Sequence, residues 1–140
     1  EFKQEMSRIN FLFIPFIFPS LVNHIVIIAV NFPEKRIEYY DSKGTPSNKQ
    51  IYGNFNMRHE LEQIKQLCFP LDHDIVIHEN TIQHQTDICS CGLYISDFAE
   101  RRLNNESFQS IIASGKDTKT ILNFGEGLGL RLAAKYEIAK

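Results

Sequence analysis

The sequence predicts an α+β fold, in which strands and helices occupy separate stretches of the chain. Two apolar runs, residues 9–18 and 24–30, are rich in the β-branched and aromatic residues that favour strands. Residues 57–67 and 91–103 instead carry apolar side chains at helical spacing. Because 43% of the 140 residues are hydrophobic, we expect residues 1–140 to form a single domain with its own core.

The second apolar run and the segment after it predict a β-hairpin. A turn at Asn-Phe-Pro-Glu-Lys leads into residues 36–41, where polar and apolar side chains alternate. Paired residues in an antiparallel hairpin lie equally far from the turn, so a turn centred near Phe32 and Pro33 places His24 opposite Asp41. We therefore expect two polar groups to meet at the open end of the hairpin.

The middle of the chain predicts a helix, a short strand and a second helix. The amphipathic helix over residues 57–67 ends before Pro70, and residues 74–78 form the short strand. A polar loop without periodicity then leads to the second helix. That helix begins at Cys91, directly after Ser90, a residue type favoured at helix N-caps.

The end of the chain predicts one more helical segment. A break at residues 114–117 precedes it, and its apolar pattern runs over residues 118–140. The sequence Gly-Glu-Gly-Leu-Gly at residues 125–129 lacks the glycine spacing and the preceding strand of a phosphate-binding loop. We expect these glycines to interrupt the helix instead.

Composition and charge exclude several classes of protein. A formal net charge of -2 gives no reason to expect nucleic acid as the main partner, so a protein or peptide partner is favoured. Prolines and polar residues interrupt the apolar region at residues 11–30, which is therefore not predicted to span a membrane. Three cysteines are an odd number for a disulfide framework, which indicates an intracellular setting, cytoplasmic or nuclear.

The three cysteines differ in their predicted surroundings. Cys91 lies in the first turn of a helix, where the partial positive charge of the helix N-terminus stabilises a thiolate. Cys89 lies in the preceding loop, and Cys68 is expected to be a buried thiol in the last turn of the first helix. The Cys-x-Cys sequence with scattered histidines lacks the paired spacing of zinc sites, so no metal is predicted.

A nucleophilic cysteine needs a base, a group that orients the base, and donors for the oxyanion that forms when a carbonyl is attacked. His24, Asp41 and Gln85 are the candidates for these three roles. Each also has an ordinary structural explanation, as a hydrogen-bonded strand histidine, a turn aspartate or a loop amide. The combination of all three with Cys91 favours a catalytic site.

Residues 23–44, N-H-I-V-I-I-A-V-N-F-P-E-K-R-I-E-Y-Y-D-S-K-G, resemble the His strand and Asp strand of the ubiquitin-like-protein-specific cysteine proteases. This clan includes SUMO proteases, adenoviral proteinase and bacterial effector deubiquitinases. A Gln precedes the family's catalytic Cys by six positions, as Gln85 precedes Cys91, and a Gly follows it, as Gly92 does here. The resemblance implies a papain-like cysteine protease of the SUMO-protease type, with a central mixed sheet flanked by helices.

The resemblance also implies a role for each candidate residue. Cys91 is the nucleophile, and His24 is the general base that later protonates the leaving amine. Asp41 orients His24. The side-chain amide of Gln85 and the backbone N–H of Cys91 form the oxyanion hole, and Cys89 takes no part.

By resemblance, the chain is a cysteine isopeptidase or endopeptidase that removes ubiquitin or a ubiquitin-like modifier such as SUMO from target proteins, without a cofactor. Two alternatives remain open. Some bacterial effectors of the clan acetylate proteins from acetyl-coenzyme A, although nothing in the sequence indicates a coenzyme A site. The other alternative is a modifier-binding module that keeps the fold without turnover.

Three features depart from the family's pattern. Ile25 follows His24 where the family usually has a Trp, which walls the narrow channel for a Gly-Gly tail, and Ser90 replaces the usual Asp before the Cys. Only 23 residues precede His24, so we expect a fragment or a trimmed version that lacks the family's N-terminal portion. SUMO proteases depend most on the missing Trp, which slightly favours an effector-type deubiquitinase, acting in the host-cell cytoplasm if the source is bacterial.

Overall fold

A four-stranded mixed sheet forms the centre of the structure, a computed structural model that describes residues 9–18 and 24–139, with side chains described as far as Gly129. The first three strands pair antiparallel, and the last pairs parallel to the third, so the strand order is β1-β2-β3-β6. The strands of this sheet are β1 (Phe11–Phe18), β2 (His24–Asn31), β3 (Arg36–Tyr40) and β6 (Ile77–Glu79).

The connection from β3 to β6 contains a short 3-10 helix, a small second sheet and the first helix. The second sheet pairs two short antiparallel strands. Three further helices follow β6. The elements are the 3-10 helix (Ser47–Lys49), β4 (Ile51–Tyr52), β5 (Phe55–Asn56), α1 (Met57–Cys68), α2 (Cys91–Leu103), α3 (Phe108–Ala113) and α4 (Thr118–Ala139).

Each face of the main sheet supports its own apolar core, because neighbouring residues of a strand point to opposite faces. One core packs Val26 and Ile28 of β2 against Met57 and Leu61 of α1. The other packs Ile27 of β2 against α2, α3 and α4, and its helical members are Tyr94, Ile95, Phe98, Phe108, Ile111 and Ile121. The predicted α+β class, a mixed sheet flanked by helices, is confirmed.

The hairpin formed by β2 and β3 was predicted correctly, but its register was not. The ladder pairs Asn31 with Arg36 and Ile27 with Tyr40, a shift of two residues from the predicted pairing. The turn is longer than expected because Asn31 accepts a hydrogen bond from the backbone of Glu34 at 3.0 Å and Lys35 adopts a left-handed conformation with φ of 52°. A shift of two residues keeps every side chain on its predicted face.

Two predicted strands begin earlier in the sequence than the observed ones. The first strand begins at Phe11, two residues after the predicted start at Ile9, and most of its side chains are half-buried because it lies at the sheet edge. The strand predicted over residues 74–78 is observed as Ile77–Glu79. It is short because its parallel pairing extends only over Ile37–Tyr39 of β3.

The glycines at residues 125–129 do not interrupt the last helix, which corrects the prediction. The helix runs from Thr118 to Ala139 without a break, while Lys140 lies outside the described residues. Gly125 has a packing role, since a Cβ atom there would lie 2.9 Å from side-chain carbons of Leu93 on α2. Close approach of α4 to α2 thus explains a residue that is unfavourable in helices.

Within the described part of the chain, none of the helices combines the length and the apolar character that a membrane crossing requires.

Candidate active site

A buried histidine and a buried aspartate meet at one end of the main sheet. His24 is the first residue of β2, and Asp41 follows the last residue of β3. Nε2 of His24 lies 2.7 Å from Oδ1 of Asp41, and the two residues are 8% and 0% exposed. The ladder between β2 and β3 ends at Ile27 and Tyr40. The side chains of His24 and Asp41 extend beyond this end and meet there.

The carboxylate of Asp41 is held by further donors on both oxygens. The backbone N–H of Lys43 donates to Oδ1 at 2.8 Å, and the side-chain amide of Gln50 donates to Oδ2 at 2.6 Å. Asn80, which follows β6, accepts from the backbone N–H of Asp41 at 2.8 Å and donates to its carbonyl at 2.7 Å. These bonds fix the orientation of a carboxylate that is fully buried.

The two ring nitrogens of His24 differ in their surroundings. Nδ1 is buried and has no hydrogen-bond partner among the residues that the structure describes. Because Nε2 faces a carboxylate, the neutral ring keeps its proton on Nε2 and carries a lone pair on Nδ1. Phe18, directly opposite in the ladder, stacks on the ring with centroids 6.2 Å apart. The ring is therefore oriented to accept a proton at Nδ1.

Cys91 is the first residue of α2 and is 7% exposed. Its thiol makes no hydrogen bond to His24 in the described structure, so the structure joins His24 to Asp41 but does not complete a hydrogen-bonded triad. Catalytic hydrogen bonds often tighten only when substrate binds. The other two thiols differ from Cys91: Cys89 is exposed, and burial raises the pKa of Cys68.

Hydrogen bonds connect the end of β3, where Asp41 lies, to the start of α2, where Cys91 lies. Ser42, the neighbour of Asp41, donates from its hydroxyl to Oε1 of Gln85 at 2.6 Å and accepts the backbone N–H of Gln85 at 2.8 Å. The Gln85 amide donates to the carboxylate of Asp87 at 2.9 Å and to its carbonyl at 3.0 Å. Gln85 thus lies on the path between Asp41 and Cys91, but Asp87 engages its amide.

Asp87 organises the turn that leads into α2. Its Oδ1 accepts the backbone N–H groups of Cys89 at 3.0 Å and Ser90 at 2.9 Å. The hydroxyl of Ser90 donates to both carboxylate oxygens, at 2.8 and 2.7 Å. These bonds, chiefly those from Ser90, lower the pKa of Asp87 to about 2. Ser90 is at the predicted N-cap position, but its side chain binds Asp87 and not a helix N–H.

Sequence reasoning missed the residues that support this site. Gln50, Asn80 and Asp87 hold the candidate residues in place, yet each is a common polar residue in a loop or at a strand end. One sequence feature could have identified Asp87, since an aspartate three residues before Ser90 can accept hydrogen bonds from the turn that follows it. No sequence feature indicated Gln50, because its partner Asp41 lies nine residues earlier on a different element.

Ile25 packs on the opposite side of the sheet from His24, against the core that α2 covers.

Among the described residues, no group of three or more His, Cys, Asp and Glu side chains is placed to hold a metal ion.

Three comparisons place the chain among known proteins. A sequence model of the Ulp1 protease family, C-terminal catalytic domain, matches residues 2–121, whereas no curated protein matches significantly. A selenomethionine crystal structure of the ASFV pS273R protease superposes with a TM-score of 0.67 and 22% identity, over 82% of this chain and 42% of that one. SUMO protease Ulp1, with its catalytic cysteine oxidized to a sulfonic acid, gives a TM-score of 0.49 and 14% identity, over 79% and 53%.

The superposition on the ASFV pS273R protease shows that the two chains share a fold. The chain spans less than two thirds of the length of either solved structure.

Proposed function

The chain belongs to the Ulp1 protease family, C-terminal catalytic domain, a family of cysteine proteases, and from this membership we propose that it cleaves ubiquitin or a ubiquitin-like modifier from target proteins. The reaction is hydrolysis of the bond after the C-terminal glycine of the modifier, and Cys91 is the nucleophile. No cofactor takes part. Apart from the substrate and one water molecule, the reaction uses only groups that the chain itself supplies.

One observation carries this proposal. The buried contact of 2.7 Å between His24 and Asp41 leaves Nδ1 of His24 unpartnered among the described residues, so the ring is ready to take a proton. The hydrogen bonds through Ser42, Gln85 and Asp87 link this pair to the helix that begins at Cys91. These features support a base, its orienting acid and a nucleophile at the same end of the sheet.

The first half of the reaction forms a thioester. Nδ1 of His24 takes the thiol proton of Cys91, and the sulfur attacks the carbonyl carbon of the modifier's last glycine. The C–N bond breaks, the leaving lysine amine receives the proton from His24, and the modifier remains attached to sulfur. Asp41 stabilises the imidazolium that forms between these two proton transfers.

The second half releases the modifier. Water gives a proton to Nδ1 of His24 and attacks the thioester carbonyl. The C–S bond breaks, and the sulfur regains the proton, so Cys91 and His24 return to their starting states. In both halves a negative oxygen develops, and its proposed donors are the backbone N–H of Cys91 and the side-chain amide of Gln85. An oxyanion donor contributes about 3 kcal/mol to such a transition state.

A probe experiment tests the proposal. Ubiquitin and SUMO that carry an electrophile at the C-terminal glycine should form a covalent adduct with the wild-type chain and with Cys89→Ala. The variant Cys91→Ala should form none. Cys89→Ala is a matched control because it removes the neighbouring thiol from the same turn. Equal labelling of wild type and Cys91→Ala, or none of either, would contradict the proposal.

We further propose that ubiquitin is the preferred modifier. The support is Ile25, which stands where the SUMO proteases usually have the Trp that lines the channel for the modifier's tail. Ile25 packs into the core beside α2, so this position offers no aromatic wall for such a channel. Faster labelling by the ubiquitin probe is the expected result, and faster labelling by the SUMO probe would reverse this preference.

A second candidate function is a module that binds the modifier without cleaving it. The engagement of the Gln85 amide by Asp87 favours it, because an amide that already donates to a carboxylate is less available to an oxyanion. Saturable binding of unmodified ubiquitin or SUMO, together with unlabelled Cys91 in the probe experiment, would identify this function.

We propose that residues 1–140 act as one catalytic domain, since both cores are built on one sheet. A reduced cellular compartment fits three cysteines that are all free. The expected partners are the modifier and its protein conjugates, with no role for nucleic acid.

A further inference from the structure

The second oxygen of Asp41 has a partner that neither the motif nor the family resemblance assigns. Gln50, 4% exposed and located between the 3-10 helix and β4, donates from Nε2 to Oδ2 of Asp41 at 2.6 Å. Oδ1 remains for His24 and for the backbone of Lys43. Gln50 therefore determines which carboxylate oxygen faces the histidine ring.

Tyr52 fixes the orientation of the Gln50 amide. An amide side chain has a donor end and an acceptor end, and either can face a neighbour. The hydroxyl of Tyr52 donates to Oε1 of Gln50 at 2.9 Å, so the NH₂ end must face Asp41. The opposite orientation would place a carbonyl oxygen against a buried carboxylate.

Tyr52 also supports the other member of the pair. Its ring lies 5.1 Å from the ring of Phe18, and Phe18 stacks on His24 with an interplanar angle of 19°. Contacts therefore run in a closed circuit from His24 through Asp41, Gln50, Tyr52 and Phe18 back to His24. The small sheet of β4 and β5 provides Tyr52, which acts on both groups.

We propose that Gln50 and Tyr52 are positioning residues that hold the His24–Asp41 pair in its reactive geometry, an inference that rests on the proposed function. Neither residue contacts the reacting atoms. Gln50 acts by supplying the donor for Oδ2, and Tyr52 acts by orienting Gln50 and supporting Phe18. Loss of either residue should lower kcat and leave KM almost unchanged, because both residues act through His24 and Asp41.

Substitutions at Gln50 separate a positioning role from a general structural one. Gln50→Leu removes the donor and should lower kcat by roughly 10- to 100-fold, as small misplacements of a catalytic group do. Gln50→Glu places a second carboxyl beside Asp41, and like charges oppose ionisation. Its activity relative to wild type should rise as the pH falls below neutrality, since the introduced carboxyl then regains a proton to donate.

The same changes at Gln63 provide matched controls, because Gln63 is exposed on α1 and, within the described part of the chain, its side chain bonds only to His59. Gln63→Leu and Gln63→Glu should keep the wild-type kcat and pH profile. A Gln50→Glu profile parallel to that of wild type at all pH values would overturn the positioning role.

A readout without turnover keeps the inference separate from the proposed function. The proton between Nε2 of His24 and Oδ1 of Asp41 is buried and should give a ¹H NMR signal downfield of the amide region. We expect this signal to shift or disappear in Gln50→Leu and to persist in Gln63→Leu. An unchanged signal in folded Gln50→Leu would overturn the inference even if the wild-type chain is an active peptidase.

Tyr52→Phe keeps the ring and removes only the hydroxyl, so it should fold even if Gln50→Leu does not. The signal from the His24 ring should broaden, and kcat should fall by about 3-fold or more, because the Gln50 amide loses its orienting donor. A Tyr52→Phe variant with the wild-type signal and kcat would contradict the assignment of Tyr52.

Discussion

The carboxylate of Asp41 accepts from three donors, and one of them is the histidine that the proposed chemistry requires. This arrangement fixes the proton of the neutral His24 ring on Nε2 and leaves a lone pair on Nδ1, the atom proposed as the base. The chemical type of the side chain at position 41 matters more than its size. An asparagine amide in the same place would offer hydrogen-bond donors as well as an acceptor.

Asp41→Asn tests whether the carboxylate of Asp41 sets the tautomer of His24. The new amide can donate to Nε2 of His24, which would move the ring proton to Nδ1 and remove the base. In a serine protease triad the equivalent change lowers kcat by about 10⁴-fold, and we expect a loss of 10³- to 10⁴-fold here. Steady-state kinetics on a ubiquitin C-terminal fluorogenic amide measure it.

Asp72→Asn is the matched control, since Asp72 is a surface residue that pairs with Lys35 at 3.2 Å. It should leave kcat within twofold of wild type. A kcat for Asp41→Asn close to that of the control would show that the aspartate does not orient the base.

Sequence patterns predicted the contact between His24 and Asp41 because a hairpin brings residues at equal distances from its turn together. The two-residue error in register did not matter, since both side chains are long enough to meet beyond the ladder. The supporting contacts of Gln50 and Asn80 were not predictable, because each depends on how a loop packs in three dimensions. The catalytic roles of His24, Asp41, Gln85 and Cys91 all stay predictions.

At the scale of elements, the turn before α2 depends on the single carboxylate of Asp87. Its hydrogen bonds to Ser90 lower the pKa of Asp87 to about 2, against about 4 for a free aspartate. A depressed pKa means that the ionised turn stabilises the fold above about pH 4. This contribution is lost as the pH falls from about 4 through 2.

Asp87→Asn should therefore be less stable than wild type at neutral pH, and the difference should shrink between about pH 4 and pH 2. Thermal unfolding followed by circular dichroism at several pH values measures both. A difference that stays constant over this range would mean that the carboxylate of Asp87 does not hold the turn. Asp74→Asn, an exposed loop change, provides the control.

Two glycines of α4 should respond in opposite ways to the same substitution. Gly129→Ala should stabilise the helix by up to about 1 kcal/mol, because no atom of the described residues lies within 4 Å of the added Cβ atom and alanine is the better helix former. Gly125→Ala should gain less or destabilise, since its Cβ atom would lie 2.9 Å from Leu93. Urea unfolding of the two variants measures the difference, and equal effects would contradict the close packing of α4 on α2.

Helices were predicted more accurately than the strands and the last segment. The starts of α1 and α2 match the predicted residues 57 and 91, because apolar spacing and capping residues mark helix ends locally. Strand ends depend on the partner strand, which explains the error at β6. The helix at Phe108–Ala113 was missed, and at six residues it is too short to show a clear period.

At the scale of the whole molecule, a buried ion pair ties the cysteine helix to the sheet. Arg102 of α2 donates to both oxygens of Glu38 on β3, at 2.8 and 3.0 Å, and both residues are buried. Burial raises the pKa of Glu38, while Arg102 opposes that rise. The guanidinium also lies 5.0 Å from the centre of the Phe11 ring on β1.

Arg102→Met should cost about 3 kcal/mol of folding free energy, because it leaves the carboxylate of Glu38 buried with a weaker partner in Arg36 at 3.2 Å. The double variant Glu38→Leu with Arg102→Met should recover most of that loss, since a well-packed apolar pair avoids the desolvation cost. Chemical denaturation measures the free energy of unfolding of the single and the double variant. A double variant no more stable than Arg102→Met would contradict this explanation.

Arg58→Met is the comparison for a surface pair. Arg58 is half-exposed and bonds to Glu62 and Glu79, so its loss should cost about 1 kcal/mol or less.

The fold class followed from the order of apolar runs along the sequence. The ion pair between residues 38 and 102 did not, because a charged residue on a strand or helix is ordinarily exposed.

The reactivity of the two neighbouring thiols shows whether the His24–Asp41 pair activates Cys91. The alkylation rates of Cys91 and Cys89 by iodoacetamide can be followed in one sample by peptide mass spectrometry, in wild type and in His24→Ala. In the proposed mechanism His24 activates Cys91 and not Cys89, so the Cys91 rate should fall about 10-fold or more in the variant, while the rate of exposed Cys89 should not change. Equal rates for Cys91 in both proteins would contradict a cysteine activated by the His24–Asp41 pair.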